Sequence, residues 1–193
     1  MGVASRSQTC GTTSSGTGLV VAKDRVLTNA HVVVGASRTV VTGDDGAGSF
    51  GFVVYFDPRH DLAVIAAPGF GVSAPAFGDA VANGEAAVVA RFVAGEGVTE
   101  VPVVVESRDS AVTKGIFGIE TVTIDYWTVA GDIDPGFSGA PLVTEHGVVG
   151  IVFAEAGDDR PEGYALSLEH VSPVVERAAG FTIKADTGAC LVP

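Results

Sequence analysis

The sequence predicts an all-β protein, a barrel or a sandwich, with one helix near its C-terminus. Short valine-rich runs alternate with turn residues roughly every 8 to 12 residues, a spacing typical of such folds. The 193 residues include 26 glycines, which supply tight turns, whereas β-branched valine favours strands. Residues 171–179 show an amphipathic pattern with Pro173 in the first turn, where the missing N–H does no harm.

The predicted elements follow one another along the chain. Residues 1–15 are polar and rich in glycine, serine and threonine, so we expect a flexible lead-in. Asn29 is placed to cap one helical turn after a hairpin. The expected strands are residues 19–22, 25–28, 39–42, 50–56, 62–66, 86–89, 101–107, 119–127, 141–143, 147–154 and 164–168. The loop near residues 67–83 is the best boundary, which predicts a first β-unit over 16–80 and a second over 81–193.

Charge and hydropathy exclude several classes of function. The formal net charge is −12, with Lys23, Lys114 and Lys184 as the lysines. Phosphate binding needs clustered cations, so no nucleic-acid or anionic membrane surface is expected. Apolar runs fall well short of the roughly 20 residues of a membrane helix. The first residues lack the apolar core of a signal peptide, so either the chain is cytosolic or an export or anchoring segment is missing from it.

The two cysteines lie near opposite ends of the chain. Cys10 and Cys190 have no partner at metal-binding spacing, and no metal site is expected. They are either a free buried pair or a disulfide, and we favour the disulfide. A loop of about 180 residues would contribute roughly 5 kcal/mol at most in the chain-entropy model. Such a bond persists in oxidising compartments, which predicts an extracytoplasmic location.

Three segments together indicate nucleophilic catalysis. Ser138 lies on a glycine-flanked turn, His31 follows a predicted strand, and Asp61 precedes another. Their chain order, His-Asp-Ser, is one of the known orders of a nucleophile, base and orienter. Acyl transfer also requires backbone N–H groups that converge on the oxyanion, and those of Gly136 and Ser138 are placed for this role. Taken alone, each segment is unspecific.

The remaining histidines are interpreted as structural. His60 is expected to face away from Asp61 if the strand alternates. His146 falls in a turn and His170 at the start of the helix.

The three blocks resemble the active-site segments of trypsin-like serine proteases of the HtrA/DegP type. They read Thr-Asn-Ala-His-Val-Val at 28–33, His-Asp-Leu-Ala-Val-Ile at 60–65 and Pro-Gly-Phe-Ser-Gly-Ala-Pro-Leu at 135–142. Residues 16–21 and 163–166 are similar to the opening and late strands of that group. Within it, Thr-Gly-Ala-Cys at 187–190 with an early Cys10 is most similar to the mycobacterial acid-resistance proteases, whose protease domain follows membrane helices.

The resemblance implies two six-stranded antiparallel β-barrels of the chymotrypsin type, with the site in the cleft between them. Ser138 would attack the peptide carbonyl, His31 would transfer the proton, and Asp61 would orient the imidazole. A protein or peptide substrate is implied, without a cofactor. This chain itself would not contact a membrane, although an N-terminal anchor would precede it in the full-length protein.

The sequence departs from the family at several positions. Phe137 stands where trypsin relatives carry aspartate and HtrA relatives usually asparagine, and Ala140 replaces a glycine. Residues 90–94 lack the Gly-Tyr-Pro-Gly pattern common in relatives. Asp132, six residues before Ser138, would favour a basic P1 side chain if it were buried, and is equally expected to be exposed. The walls of the substrate pocket are predicted from Phe153, Ala154 and Gly163.

These departures leave rival interpretations. A pseudoprotease or binding module would keep the fold and lose turnover if Phe137 and Ala140 distort the oxyanion hole. A purely structural β-protein and an esterase without peptidase activity are the weaker alternatives.

Overall fold

The computed structural model describes residues 1–78, 81–157 and 160–191. Two antiparallel β-sheets make up its two halves, and the longest helix lies near the C-terminus. The strands are β1 (Gly2–Ser7), β2 (Thr12–Thr17), β3 (Leu19–Ala22), β4 (Arg25–Thr28), β5 (Arg38–Thr42), β6 (Gly48–Asp57), β7 (Leu62–Ala66), β8 (Ala86–Val93), β9 (Gly97–Lys114), β10 (Thr121–Ala130), β11 (Pro141–Thr144), β12 (Gly147–Glu155) and β13 (Glu162–Ser167). The helices are α1 (Ala30–Val33) and α2 (Leu168–Arg177), with 3₁₀ turns at Pro135–Phe137 and Ala178–Gly180.

The first sheet has seven strands in the order β2-β1-β5-β6-β7-β4-β3. Its core is valine-rich, and Leu27 and Ile65 are fully buried in it. The expected flexible lead-in over residues 1–15 is wrong, because these residues form β1 and most of β2, paired with each other. The alternation typical of a strand is not visible in the hydropathy of β1, because two of its inward-facing residues are serines rather than apolar residues. Ser5, 5% exposed, is satisfied by donating to the Val32 carbonyl at 2.6 Å.

The second sheet closes into a six-stranded barrel in the order β10-β13-β12-β11-β8-β9. The predicted all-β fold with two β-halves and a C-terminal helix is therefore confirmed. The second half is the expected six-stranded barrel, whereas the first half is a seven-stranded sheet whose order runs from β2 to β3 without closing. Leu142, Ile151 and Leu166 are the largest aliphatic side chains that are fully buried in this half. Trp127 is also buried and donates its indole N–H to the Val149 carbonyl at 3.0 Å.

Helix α2 starts three residues earlier than the sequence predicts. Ser167 caps it by accepting a hydrogen bond from the His170 N–H at 3.3 Å. Pro173 therefore lies inside the helix rather than in its first turn and cannot donate to the Glu169 carbonyl. The hydroxyl of Ser172 donates to that carbonyl at 3.2 Å instead, so the interior proline leaves no carbonyl unsatisfied at this point.

The chain after α2 returns across the first half. The N–H of Ala185 donates to the Val53 carbonyl at 2.8 Å, and the N–H of Gly35 donates to the Thr187 carbonyl at 3.0 Å. The disulfide between Cys10 and Cys190 then closes the return, which confirms that expectation. Within the described ranges, no helix is long and apolar enough to cross a membrane.

Candidate active site

His31, Asp61 and Ser138 meet although 107 residues separate the first from the last. His31 lies in the short helix α1, directly after β4, and Asp61 precedes β7, which pairs with β4. The imidazole Nδ1 is 2.7 Å from Asp61 Oδ2, and Nε2 is 2.8 Å from Ser138 Oγ. An ionised carboxylate can only accept, so Nδ1 carries the proton and Nε2 accepts from the serine hydroxyl. This is the hydrogen-bonding order that a base, its orienter and a nucleophile require.

Asp61 holds a strained backbone conformation. Its φ is +53°, in the left-handed region that costs a non-glycine residue about 1–3 kcal/mol. The turn directs the carboxylate at both donors of His31, since Oδ1 also accepts from the His31 backbone N–H at 2.9 Å. The buried amide of Asn29 donates to the Asp61 carbonyl at 3.0 Å. Asn29 therefore acts on Asp61 and makes no side-chain cap on α1, contrary to the sequence prediction.

The turn carrying Ser138 is anchored to both halves of the molecule. The Ser138 carbonyl accepts from the Thr17 N–H at 2.8 Å, and the Gly139 N–H donates to the Val152 carbonyl at 2.9 Å. Gly139 has φ +83°, and a Cβ there would lie 2.1 Å from the Thr17 carbonyl oxygen. A residue with a side chain would clash with β2 here. The glycine after the nucleophile therefore allows the turn to approach β2 closely.

The two expected oxyanion donors do not converge in this structure. The Gly136 N–H is turned away and donates to Asp134 Oδ1 at 3.0 Å, so that Asp134 caps the 3₁₀ turn. The Pro135 carbonyl oxygen lies 3.5 Å from the Ser138 nitrogen and 3.2 Å from its hydroxyl. An acceptor thus occupies the place where donors are needed, and it competes with His31 for the single hydroxyl proton. Rotation of the peptide between Pro135 and Gly136 would exchange acceptor for donor.

Arg91 and Asp134 belong to this site, and the sequence analysis did not find them. Arg91 Nη1 is 3.1 Å from Asp134 Oδ2, and its guanidinium lies 4.5 Å from the centroid of the Phe137 ring. Phe137 is 1% exposed and so is held by packing beneath Arg91. The sequence did carry one signal for Arg91, namely Phe137 in place of the aspartate of trypsin relatives. A buried aromatic ring favours a cation or an apolar side chain as its neighbour.

The structure places the predicted pocket residues differently from one another: the predicted base is exposed, and the predicted walls lie in or beside strands of the second half. Asp132 is exposed, so the buried carboxylate on which a preference for basic side chains depended is not formed there. The next residue, Ile133, is buried at 8% exposure and fills the space beside Gly163, where a Cβ would meet it at 2.7 Å. Phe153 and Ala154 lie at the end of β12, and the Phe153 ring packs edge-on against Tyr126 at 6.4 Å.

A second polar cluster lies behind Asp61. Asp57, at the end of β6, accepts from His60 Nδ1 at 2.8 Å and from the Arg59 N–H at 3.0 Å. Burial by itself would raise the pKa of Asp57, but these hydrogen bonds outweigh it and lower the pKa to about 2. The His60 ring lies 5.1 Å from that of His170, whose pKa is lowered, first by burial and then by the neighbouring imidazole. Within the described ranges, no cluster of three or more potential metal ligands occurs.

Comparisons with known proteins show the family of this chain. The family model of the trypsin-like peptidase domain matches residues 16–151. The serine protease Rv3671c (MarP) of Mycobacterium tuberculosis H37Rv is 34% identical over 186 residues, covering 94% of this chain and 46% of the relative. The Do-like serine protease HtrA of Bacillus subtilis is 30% identical over 183 residues, covering 84% and 38%. The chain thus spans less than half the length of these relatives.

Solved structures show the same relationship. The crystal structure of the active form of the Rv3671c protease from M. tuberculosis matches with a TM-score of 0.92 at 32% identity, covering 99% of this chain and 85% of that one. An inactive form of that protease matches with a TM-score of 0.76 at 29% identity, covering 92% and 88%. The family match, the sequence relatives and the fold all agree, and the chain therefore belongs to the trypsin-like serine peptidases, with relatives among proteases of the HtrA type.

Proposed function

We propose that this domain is a serine endopeptidase that cleaves peptide bonds of extracytoplasmic proteins through an acyl-enzyme. The observation that carries the proposal is the continuous hydrogen-bonded chain from Asp61 through His31 to Ser138. The orienting carboxylate is largely sheltered, with 15% of its side chain exposed, whereas the imidazole is 30% exposed and open to substrate.

Each residue of the chain has a separate task in the reaction. Ser138 Oγ attacks the peptide carbonyl while His31 Nε2 accepts its proton. His31 then donates that proton to the departing amine, and water repeats the sequence to release the acyl group. Asp61 holds the Nδ1–H tautomer and stabilises the imidazolium that forms in each step.

Oxyanion stabilisation requires one rearrangement. The Gly136 N–H must leave Asp134 and turn towards the position beside Ser138 that the Pro135 carbonyl now holds. An absent donor costs about 10²- to 10³-fold in rate. This contact is the specific observation that favours the second candidate, a latent peptidase or binding module. The higher TM-score to the active form of Rv3671c, 0.92 against 0.76 for an inactive form, supports the peptidase, because the overall arrangement of the chain is more similar to that of the active form.

For the substrate, we propose an extended peptide with an apolar P1 side chain. Ile133, rather than the exposed Asp132, packs against Gly163, one of the predicted pocket walls. A panel of peptides that differ only at P1 tests this, with arginine and lysine compared against valine and leucine. Faster cleavage after the basic residues would overturn the proposal of an apolar pocket.

The cellular location follows from the disulfide. A bond between Cys10 and Cys190 persists in an oxidising compartment, so we place the domain in the periplasm or cell envelope. Attachment to a membrane anchor in a longer protein is part of the same proposal. Fractionation of cells that express the native gene, with thiol labelling of each fraction, tests both.

The test of the activity is covalent. The wild type, Ser138→Ala and His31→Ala are incubated with a fluorophosphonate probe and weighed by intact mass spectrometry, with His146→Ala as the control histidine. His146 lies in a turn with 58% of its side chain exposed. We expect one adduct on the wild type and on His146→Ala and none on the other two. A folded, oxidised wild type without an adduct would contradict the peptidase and favour the latent form.

A further inference from the structure

Asp57 is a buried acidic residue that the proposed mechanism does not use. It lies at the end of β6, four residues before Asp61, and is 7% exposed. Oδ1 accepts from the Arg59 backbone N–H at 3.0 Å and from Arg59 Nε at 3.2 Å. Oδ2 accepts from His60 Nδ1 at 2.8 Å and lies 3.4 Å from the Tyr55 hydroxyl. The Asp57 carboxylate therefore binds both Arg59 and His60, which belong to the turn that leads into Asp61.

The backbone of that turn is in a less favourable conformation. Asp61 has a φ of +53°, in the left-handed region that aspartate tolerates better than most residues but still populates at a cost. Asn29 fixes the carbonyl side of Asp61 by its hydrogen bond at 3.0 Å. Residues 58–60 form a turn between β6 and β7, and Asp57 ties Arg59 and His60 of this turn to the end of β6. The backbone on both sides of Asp61 is thus fixed by a buried polar side chain.

Two neighbouring elements also contact this turn. The hairpin between β9 and β10 donates the Ile116 N–H to the Pro58 carbonyl at 2.8 Å. The His60 ring lies 5.1 Å from that of His170 in α2. The hairpin therefore contacts Pro58 and α2 contacts His60, whereas the backbone N–H of Arg59 donates to Asp57.

We propose that Asp57 is a positioning residue that holds Asp61 in its left-handed conformation and thereby aims the carboxylate at His31. The proposal rests on the proposed peptidase function, because it assigns Asp57 to the same site. Without the Asp57 carboxylate, the turn relaxes, φ of Asp61 leaves the positive region, and the pair of hydrogen bonds to His31 is lost. Asp57 touches no reacting atom and acts through Asp61.

The first test does not depend on turnover. The Nδ1–H of His31, hydrogen-bonded to Asp61, gives a low-field proton resonance that Asp61→Asn assigns by abolishing it. We expect Asp57→Ala to broaden or remove this resonance and Asp57→Asn, which keeps an acceptor for the Arg59 N–H, to retain it. The control is Glu120→Gln, which alters the exposed second partner of Arg59 at 3.9 Å and should leave the resonance unchanged. An unchanged resonance in folded Asp57→Ala would overturn the proposal.

The second test is a kinetic double-mutant cycle on acylation by the fluorophosphonate probe. Misplacement of a catalytic group by about 1 Å costs about 100-fold, so Asp57→Ala should lose roughly 10- to 100-fold in rate with little change in probe affinity. In an Asp61→Asn background, Asp57→Ala should have no further effect on the rate, because the Asp61 carboxylate through which Asp57 acts has already been removed. Equal losses in both backgrounds would show a structural role only and would refute positioning.

Three further outcomes are covered. If Asp57→Ala does not fold, His60→Ala, which removes the donor to Oδ2, takes its place with a smaller expected loss in both tests. An equal loss in Asp57→Asn and Asp57→Ala would assign the effect to charge and overturn positioning. A wild type without any adduct would fail the peptidase proposal, while the proton resonance would still decide the role of Asp57.

Discussion

Release of the Gly136 N–H is the step that we expect to limit formation of the oxyanion hole. Asp134 Oδ1 accepts from this group at 3.0 Å, and Arg91 holds the other carboxylate oxygen at 3.1 Å. Replacement of Asp134 by alanine removes the acceptor that stabilises the unproductive turn. The Asp134→Ala variant should therefore react faster than the wild type.

The magnitude follows from the nature of the contact. A side-chain cap of this type contributes typically about 1 kcal/mol, and exposed examples about half of that. Asp134 is an exposed cap, with 56% of its side chain accessible. Since about 1.4 kcal/mol corresponds to a factor of ten, the population of the productive turn should rise roughly two- to fivefold.

The assay is the second-order rate of acylation by the fluorophosphonate probe, together with kcat/KM for a peptide. Asp132→Ala is the matched control, because it removes the same charge from an exposed aspartate two residues earlier. An Asp134→Ala rate equal to that of Asp132→Ala would mean that charge rather than the cap matters. A slower Asp134→Ala would mean that the cap belongs to the productive turn, and either result would refute the reasoning.

Three further predictions concern stability. Replacement of Cys10 and Cys190 by serine removes a bond with a sequence separation of 180, worth about 5 kcal/mol at most; calorimetry should show a Tm lower by roughly 10–20 °C, and an unchanged Tm would contradict the role assigned to the disulfide. Gly139→Ala places a Cβ 2.1 Å from the Thr17 carbonyl at φ +83° and should cost about 2 kcal/mol or more in urea unfolding, whereas Gly180→Ala, which has open space around its Cβ, is the tolerated control. Burial and the adjacent His60 lower the pKa of His170 against the weaker opposing effects of Asp125 and Asp57, so the unfolded chain binds more protons and the free energy of unfolding should fall as pH drops below about 6.5. His170→Gln should flatten this dependence between pH 7.5 and 5, and an unaltered slope would assign it to other groups.

The β-class was predictable from the local sequence for a physical reason. Alternating valines with frequent glycines have few other compact solutions, and Ser138, His31 and Asp61 occur in short segments whose chemistry can be recognised residue by residue. Of the candidate residues, His31 lies within hydrogen-bonding distance of both Asp61 and Ser138, whereas the expected oxyanion donors do not converge and Asp132 is exposed. The N-terminal strands were missed because Ser5 and Ser7 face inward, and a buried serine satisfied by a backbone carbonyl is indistinguishable in sequence from a loop serine. The start of α2 was missed because a proline is expected in the first turn of a helix. In the structure Pro173 lies further inside, where the Ser172 hydroxyl donates to the Glu169 carbonyl to which the proline cannot donate.

The sequence by itself determined which groups are available: a nucleophile followed by a glycine, an imidazole, carboxylates and two cysteines. Only the tertiary structure decided which of them meet and which way each hydrogen bond points. It placed Asp134 against the Gly136 N–H, Arg91 over Phe137, and Asp57 beneath the turn that carries Asp61. Such contacts join residues from separate strands and depend on the orientation of single peptide units. An oxyanion site depends on one such orientation, and no pattern of residue types along the chain specifies it.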